Sequence, residues 1–156
     1  MKAPNVHDVG RSTRESYGSG RSCGTFKPTI FLAEDDEAMR NLLAAAMRRD
    51  GFEVVELDDG RALWAELILA RDRDDAPAMV VTDVRMPGAS GLEILREIRG
   101  WGWSIPFLLI TAFANGQTRI EAANGGATAV FSKPFDVDDL RTAVGWFLPR
   151  KSSSAR

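Results

Sequence analysis

Short apolar runs alternate with helical patterns along most of the chain. The apolar runs predict five strands, at residues 29–33, 52–57, 79–82, 106–110 and 128–131. Apolar residues at helical spacing predict five helices, at residues 39–47, 61–70, 92–98, 116–124 and 137–147. Apolar strands that alternate with helices are typical of a parallel sheet covered by helices on both faces. The pattern therefore predicts an α/β fold.

The two ends of the chain lack this pattern. Residues 1–27 are rich in Ser, Gly and Arg and have no apolar period, so we predict a disordered tail there. Residues 150–156 form a short basic tail, and residues 28–149 form the predicted domain. No run of about 18 apolar residues exists, so we expect no membrane insertion. The N-terminus has no apolar block of the kind a secretory signal needs, so we expect a cytoplasmic location.

Composition and charge exclude several classes of function. The formal net charge is −2, but residues 29–149 hold 20 acidic and 12 basic groups, which makes the predicted domain acidic. An acidic domain argues against direct nucleic acid binding. Cys23 is the single cysteine and His7 the single histidine, and both lie in the predicted tail. An intramolecular disulfide, a cysteine-rich zinc site and a Ser-His-Asp triad are therefore not expected.

Polar residues follow the predicted strands at the point where each strand ends. The pair Glu34 and Asp35 follows the first strand, Asp83 the third, Thr111 the fourth and Lys133 the fifth. The carboxyl ends of parallel strands lie on one edge of a sheet, where open α/β folds place their functional sites. We therefore expect three carboxylates, a hydroxyl and an ammonium group to meet at one rim.

These groups suit phosphoryl chemistry with a divalent cation. Three carboxylates repel one another, and hard oxygen ligands without His or Cys favour Mg²⁺. A carboxylate beside Mg²⁺ can attack a phosphoryl group to form an aspartyl-phosphate, whose charge the metal and an ammonium group would share. Lys133 is the single lysine between residues 28 and 150, where eleven arginines supply the other positive charge. That choice of a compact cation favours a role for Lys133 in the site.

The chain resembles the receiver domain of two-component response regulators from about residue 29 to residue 148. No single segment is specific, but the segments occur in order, each at the end of an appropriate strand. The segments that carry the resemblance are residues 30–40 (IFLAEDDEAMR), 80–88 (VVTDVRMPG), 91–93 (GLE), 109–112 (LITA) and 133–135 (KPF).

The resemblance implies a flavodoxin-like doubly wound sheet of five parallel strands in the order 2-1-3-4-5, with five helices. It also implies a role for each site residue. Asp83 matches the phosphoacceptor, and Thr111 and Lys133 match the residues that assist it. The Mg²⁺ ligands would be Asp35, Asp83, Glu34 through water, and the backbone carbonyl of Arg85. The bond between Lys133 and Pro134 is expected to be cis.

The resemblance further implies a signalling protein rather than an enzyme. The phosphoryl donor would be a histidine on a sensor histidine kinase or a histidine phosphotransfer protein. Because only eight residues follow Leu148, we expect a stand-alone receiver that shuttles the phosphoryl group or docks on a target. The expected docking face is the fourth helix, fifth strand and fifth helix, with Arg119, Glu121, Val130, Asp138 and Arg141.

Two departures from the family pattern leave alternatives open. Glu34 stands where the family usually has Asp, and Val130 stands at the switch position, where Tyr or Phe is usual. Loss of that aromatic residue leaves open a pseudo-receiver that binds proteins without phosphorylation, although the intact Asp83, Thr111 and Lys133 argue against it. A phosphatase of the haloacid dehalogenase type also combines Asp, Thr, Lys and Mg²⁺. Such enzymes place a second acid two residues after the nucleophile, where this chain has Arg85.

Several conspicuous residues have simpler structural explanations. Asp59 is predicted to cap the second helix rather than to bind a metal. Trp64 and Trp146 are predicted to fill gaps at the edges of the core. Trp101 and Trp103 lie in a loop, and we expect them to pack against the domain.

Overall fold

Strands and helices alternate strictly along the chain in a computed structural model that describes residues 26–148. All five predicted strands and all five predicted helices are present, with ends that differ from the predictions by a few residues. The predicted tails lie outside the described residues, apart from Phe26 and Lys27. The elements are β1 Thr29–Ala33, α1 Glu37–Arg49, β2 Glu53–Leu57, α2 Gly60–Asp72, β3 Met79–Asp83, α3 Gly91–Gly100, β4 Phe107–Thr111, α4 Gly116–Gly125, β5 Ala129–Ser132 and α5 Val137–Phe147.

The five strands form one parallel sheet in the order β2-β1-β3-β4-β5. The register places Asp83 of β3 opposite Ile110 of β4, and Thr111 of β4 opposite Ser132 of β5. Asp83 and Thr111 are thus the last residues of neighbouring strands. The predicted doubly wound fold and its strand order are confirmed.

The apolar residues of the sheet support a core on each of its faces. One core lies under α2, α3 and the single buried residue of α4, Ala122. The other lies under α1 and α5, with Leu43 and Met47 of α1 and Leu140 and Val144 of α5. Residues of β3 and β4 are buried on both faces, which explains why these strands are apolar along almost their whole length.

Side-chain caps fix where the helices begin. Asp36 accepts from the backbone N–H of Met39 at 3.1 Å, and Asp59 accepts from that of Ala62 at 2.8 Å. The cap predicted at Asp59 is therefore confirmed. A reciprocal capping box, in which Ser90 and Glu93 accept from each other's backbone N–H, starts α3. These caps hold the loops at the carboxyl edge of the sheet, because each of these helices begins there.

Three tryptophans form an aromatic cluster between α2 and the end of α3. The rings of Trp64 and Trp101 lie 5.5 Å apart, and those of Trp101 and Trp103 lie 5.2 Å apart. The guanidinium carbon of Arg71 lies 4.5 Å from the Trp101 ring centroid. The predicted packing of Trp64, Trp101 and Trp103 is confirmed. The prediction for Trp146 is wrong, because its side chain is 78% exposed on the outer face of α5.

The helices of the described part of the chain are short. They contain between 10 and 13 residues each. None of them is long and apolar enough to cross a bilayer, which takes about 20 residues.

Candidate functional site

Four strand ends place the predicted polar residues on one rim of the sheet. Glu34 follows β1, Asp83 ends β3, Thr111 ends β4, and Lys133 follows β5. Glu34, Asp83 and Thr111 are buried, whereas Asp35 is exposed. The candidate site therefore consists of buried polar side chains with one solvent-exposed carboxylate, that of Asp35.

Lys133 joins two of the carboxylates across the sheet. Its Nζ donates to Asp83 Oδ2 at 2.8 Å and lies 2.9 Å from Glu34 Oε1. Its backbone N–H donates to the carbonyl of Thr111 at 2.8 Å, which fixes the start of the following loop to the end of β4. The peptide bond between Lys133 and Pro134 is cis. One ammonium group thus stands between carboxylates from β1 and β3.

Burial and charge shift the pKa values of this group of residues. Burial, together with the neighbouring charge of Asp83, raises the pKa of Glu34, although a backbone hydrogen bond and Lys133 oppose the change. Burial also disfavours the charged form of Lys133. The hydrogen bond to Asp83 and the negative charges of Asp83 and Glu34 outweigh that effect, and the pKa of Lys133 rises. The Lys133 ammonium group is therefore firmly cationic, whereas burial disfavours the charged form of Glu34.

A divalent cation fits the three carboxylates. One oxygen from each of Glu34, Asp35 and Asp83 lies within 4.8 Å of the others. Glu34 Oε2 accepts from the backbone N–H of Asp36 at 3.0 Å. Glu34 Oε1 is buried and lies in an ion pair with Lys133, but the pair lacks hydrogen-bond geometry, so Oε1 has no hydrogen-bond partner. A buried carboxylate oxygen without a hydrogen bond, next to two further carboxylates, matches the hard oxygen ligands that Mg²⁺ prefers.

Thr111 keeps a donor available at the rim. Its Oγ1 accepts from the backbone N–H of Phe113 at 3.0 Å, which leaves the hydroxyl proton free to donate. Arg85, two residues after Asp83, donates its backbone N–H to Asp83 Oδ1 at 3.2 Å. Both loops that follow the central strands are thus hydrogen-bonded to the residue that ends the strand.

The switch position carries no ring in this chain. Val130 is half-buried and packs against the core under α2 and α3. Phe131 lies on the opposite face of β5, where its ring centroid is 5.9 Å from that of Phe135. Side chains alternate along the strand, and Phe131 therefore does not replace the missing aromatic residue.

The sequence analysis did not predict the role of Arg40, which hydrogen-bonds to the backbone of the loop after β1. Arg40 of α1 donates from Nη1 to the backbone carbonyl of Glu34 at 2.8 Å, and its Nε lies 3.5 Å from Glu56 Oε1 on β2. The sequence does place Arg40 near the start of the helix that follows Glu34. Nothing in the sequence separated it from the other arginines, because the contact depends on the path of the loop.

The expected docking face needs one correction. Arg141 forms two hydrogen bonds with Asp50 at the end of α1, at 2.9 Å and 2.8 Å. Its guanidinium therefore faces α1 rather than α4 and β5. Arg119 is exposed on α4, as a residue of that face should be.

A groove of about 490 Å³ lies far from these residues, at the amino ends of the strands. Phe26, Glu53, Glu66 and Arg73 are among the residues that line it, and it contains none of the candidate site residues. The rim itself is open to solvent through Asp35. Such a site suits a group presented by another protein better than an enclosed small molecule.

The first residue of α3 must be small because the end of β3 lies against it. A Cβ on Gly91 would lie 2.6 Å from the carbonyl oxygen of Asp83 and 3.1 Å from the side chains of Thr82 and Leu109. We expect Gly91→Ala to lower the free energy of unfolding by about 1–3 kcal/mol, measured by urea denaturation. Gly100→Ala on the same helix is the control, because a Cβ there meets nothing within 4 Å. Equal stability of the two variants would contradict this packing.

Comparison with known proteins identifies the class that this fold and site define. Residues 30–145 match the family described as the response regulator receiver domain. The chain belongs to this family. Its members are signalling domains of two-component systems rather than classical enzymes. Receiver domains bind Mg²⁺ at an acidic pocket and are phosphorylated by histidine kinases or phosphotransfer proteins. Membership decides against the phosphatase alternative.

Particular relatives show how far the similarity extends. The chain is 32% identical over 124 residues to sporulation initiation phosphotransferase F of Bacillus subtilis, covering 80% of this chain and 96% of that protein. It is 36% identical over 128 residues to the transcriptional regulatory protein TcrA of Mycobacterium tuberculosis, covering 81% of this chain and 49% of TcrA. Other curated relatives it matches are also longer, and the chain spans between 24% and 51% of their length.

A solved structure is similar over most of the chain. The response regulator TrrA of Thermotoga maritima, in complex with Mg²⁺ and BeF, has a TM-score of 0.64 and 26% sequence identity. The match covers 79% of this chain and all of that one. The fold of the described residues is therefore that of a receiver domain.

Proposed function

We propose that the chain is the phosphoacceptor of a two-component phosphorelay and that Asp83 carries the phosphoryl group. The observation that carries this proposal is the position of the Lys133 ammonium group, 2.8 Å from Asp83 and 2.9 Å from Glu34. A fixed cation beside a buried carboxylate is what a phosphoryl group needs when its negative charge arrives.

The covalent step follows from the groups on the rim. A carboxylate oxygen of Asp83 attacks the phosphorus of a phosphohistidine on a sensor histidine kinase or a histidine phosphotransfer protein. The new O–P bond forms as the N–P bond breaks, and the electron pair of that bond returns to the imidazole, which then takes a proton from solvent. No other reactant is needed.

Each remaining residue has a distinct part. Mg²⁺, held by Asp35, Asp83, the backbone carbonyl of Arg85 and, through water, Glu34, would neutralise charge on the phosphoryl oxygens. Lys133 moves from its pair with Asp83 to the phosphoryl oxygens. The Thr111 hydroxyl donates a hydrogen bond to another of those oxygens.

Phosphorylation would then act through contact with another protein. The relative named as a phosphotransferase supports a relay role, since the chain covers 96% of it. The longer relatives support the alternative in which a receiver regulates a target. In either case the α4, β5 and α5 face, with Arg119, Glu121 and Val130, is the proposed contact surface. The cytoplasm, where histidine kinases present their phosphohistidine, is the proposed location.

Mapping of the phosphoryl adduct tests this proposal. The protein is incubated with acetyl phosphate and Mg²⁺, the acyl phosphate is trapped by borohydride reduction, and peptides are analysed by mass. We expect the reduced residue to be Asp83. Reduction at Asp35 or at Glu34 instead would contradict the assignment.

Magnesium should stabilise the protein through the exposed carboxylate. At about ten times its dissociation constant, Mg²⁺ should raise the melting temperature of the wild type by about 3–6 °C. Asp35→Asn should lose most of this increase because the amide is a weaker ligand for a hard cation. Asp36→Asn is the matched control, since Asp36 caps α1 and asparagine caps equally well. An undiminished increase in Asp35→Asn would contradict a role for Asp35 as a ligand.

A further inference from the structure

Two exposed side chains meet above the rim. The guanidinium carbon of Arg85 lies 4.5 Å from the ring centroid of Phe113, within the range of a cation–π contact. Phe113 is 55% exposed, so burial in the core does not explain the position of its ring. Arg85 belongs to the loop after β3 and Phe113 to the loop after β4. The contact therefore joins the two loops that follow the central strands.

Each partner is also tied to a site residue by its own backbone. Arg85 N–H donates to Asp83 Oδ1 at 3.2 Å, and Phe113 N–H donates to Thr111 Oγ1 at 3.0 Å. These two hydrogen bonds and the cation–π contact form a continuous path from Asp83 to Thr111. A change in the charge or position of either site residue would act on one end of the path.

The path continues to α4. The backbone N–H of Asn115 donates to the carbonyl of Phe113 at 2.9 Å, and the Asn115 side chain accepts from the backbone N–H of Thr118 at 2.9 Å. Phe113 is therefore fixed to the cap of α4. This helix buries only Ala122, the fewest residues of the five helices, so we expect its position to shift more readily than theirs.

We propose that the contact between Arg85 and Phe113 couples the state of Asp83 to the start of α4. It supplies an aromatic link in a chain whose switch position is Val130. Arg85 and Phe113 are positioning residues, because they act through Asp83 and Thr111. The inference rests on the proposed function, since phosphorylation of Asp83 is the event that it transmits.

The test measures the response of α4 when Asp83 is phosphorylated. Amide chemical shifts are recorded for the wild type, Phe113→Leu and Phe113→Tyr with acetyl phosphate and Mg²⁺, at phosphoryl occupancies matched by intact mass. In Phe113→Leu, which keeps apolar bulk but has no ring, we expect the shift changes at Gly116, Gln117 and Thr118 to fall by about half or more. Phe113→Tyr keeps the ring and should respond as the wild type does.

A double-mutant cycle separates the contact from the two residues taken singly. Arg85→Gln should reduce the α4 response as Phe113→Leu does, and the double variant should lose no more than either single variant. A full α4 response in Phe113→Leu, or losses that add in the double variant, would overturn the coupling. A wild type that gains no phosphoryl adduct from acetyl phosphate or from a phosphorylated histidine donor, and that binds no Mg²⁺, would instead overturn the proposed function, and the coupling with it.

Discussion

Replacing Asp83 with asparagine should abolish phosphoryl incorporation while the fold persists. The amide has nearly the same shape as the carboxylate, and its oxygen can still accept a hydrogen bond from Lys133. An amide oxygen is a far poorer nucleophile than a carboxylate oxygen, and it no longer contributes charge to a metal site. We expect no adduct in the intact mass after incubation with acetyl phosphate and Mg²⁺, and a circular dichroism spectrum like that of the wild type.

Asp36→Asn is the control for Asp83→Asn, because it makes the same chemical change three residues after the end of β1 and outside the carboxylate cluster. It should incorporate phosphate as the wild type does. Incorporation by Asp83→Asn at the wild-type level would refute the assignment of the phosphoacceptor.

Removal of the Lys133 ammonium group should slow phosphoryl incorporation by about 100-fold or more. In Lys133→Ala no cationic side chain among residues 26–148 remains in an ion pair with the carboxylates of Asp83 and Glu34. The charge of an incoming phosphoryl group then lacks its fixed partner. The rate is measured as the growth of the adduct mass with time, at an Mg²⁺ concentration that saturates each variant.

The same variant should change how Mg²⁺ binding depends on pH. Burial already raises the pKa of Glu34, and Lys133 opposes that rise. Without Lys133 the pKa of Glu34 rises further, so the carboxyl group is protonated at a higher pH. Mg²⁺ affinity should therefore fall at a higher pH in Lys133→Ala than in the wild type as the solution is acidified. An unchanged pH profile would contradict this coupling.

Lys133→Arg separates charge from shape. Arginine keeps the positive charge but presents a planar fork in place of a compact ammonium group. We expect its incorporation rate to lie between those of the wild type and Lys133→Ala. A rate in Lys133→Ala equal to that of the wild type would show that the cation next to Asp83 takes no part in the reaction.

The sequence was sufficient to predict the sheet and the meeting of its polar residues. The strands β3 and β4 are apolar nearly throughout because both of their faces are buried, and that pattern is visible without coordinates. Once the strands were parallel, Glu34, Asp83, Thr111 and Lys133 had to share a rim. These predictions depend on backbone topology, which the order of strands and helices determines.

Side-chain contacts between loops could not be predicted in this way. The hydrogen bond from Arg40 to the Glu34 carbonyl and the stacking of Arg85 on Phe113 depend on loop paths that have no periodic pattern. The prediction for Trp146 is wrong for a related reason. It occupies a helical position beside apolar residues, but it lies on the outer face of α5, where the sheet does not reach it. A few tens of degrees around a helix decide between core and surface.

One measurement tests the central claim, Mg²⁺-dependent phosphorylation of Asp83, most directly. The wild type is incubated with acetyl phosphate in the presence of Mg²⁺ or of a chelator, and intact mass is followed with time. A single phosphoryl adduct that forms with Mg²⁺ and not with the chelator is the predicted result. Failure to form an adduct with acetyl phosphate or with a phosphorylated histidine donor, together with no binding of Mg²⁺, would contradict it and favour a receiver that acts by protein contact alone.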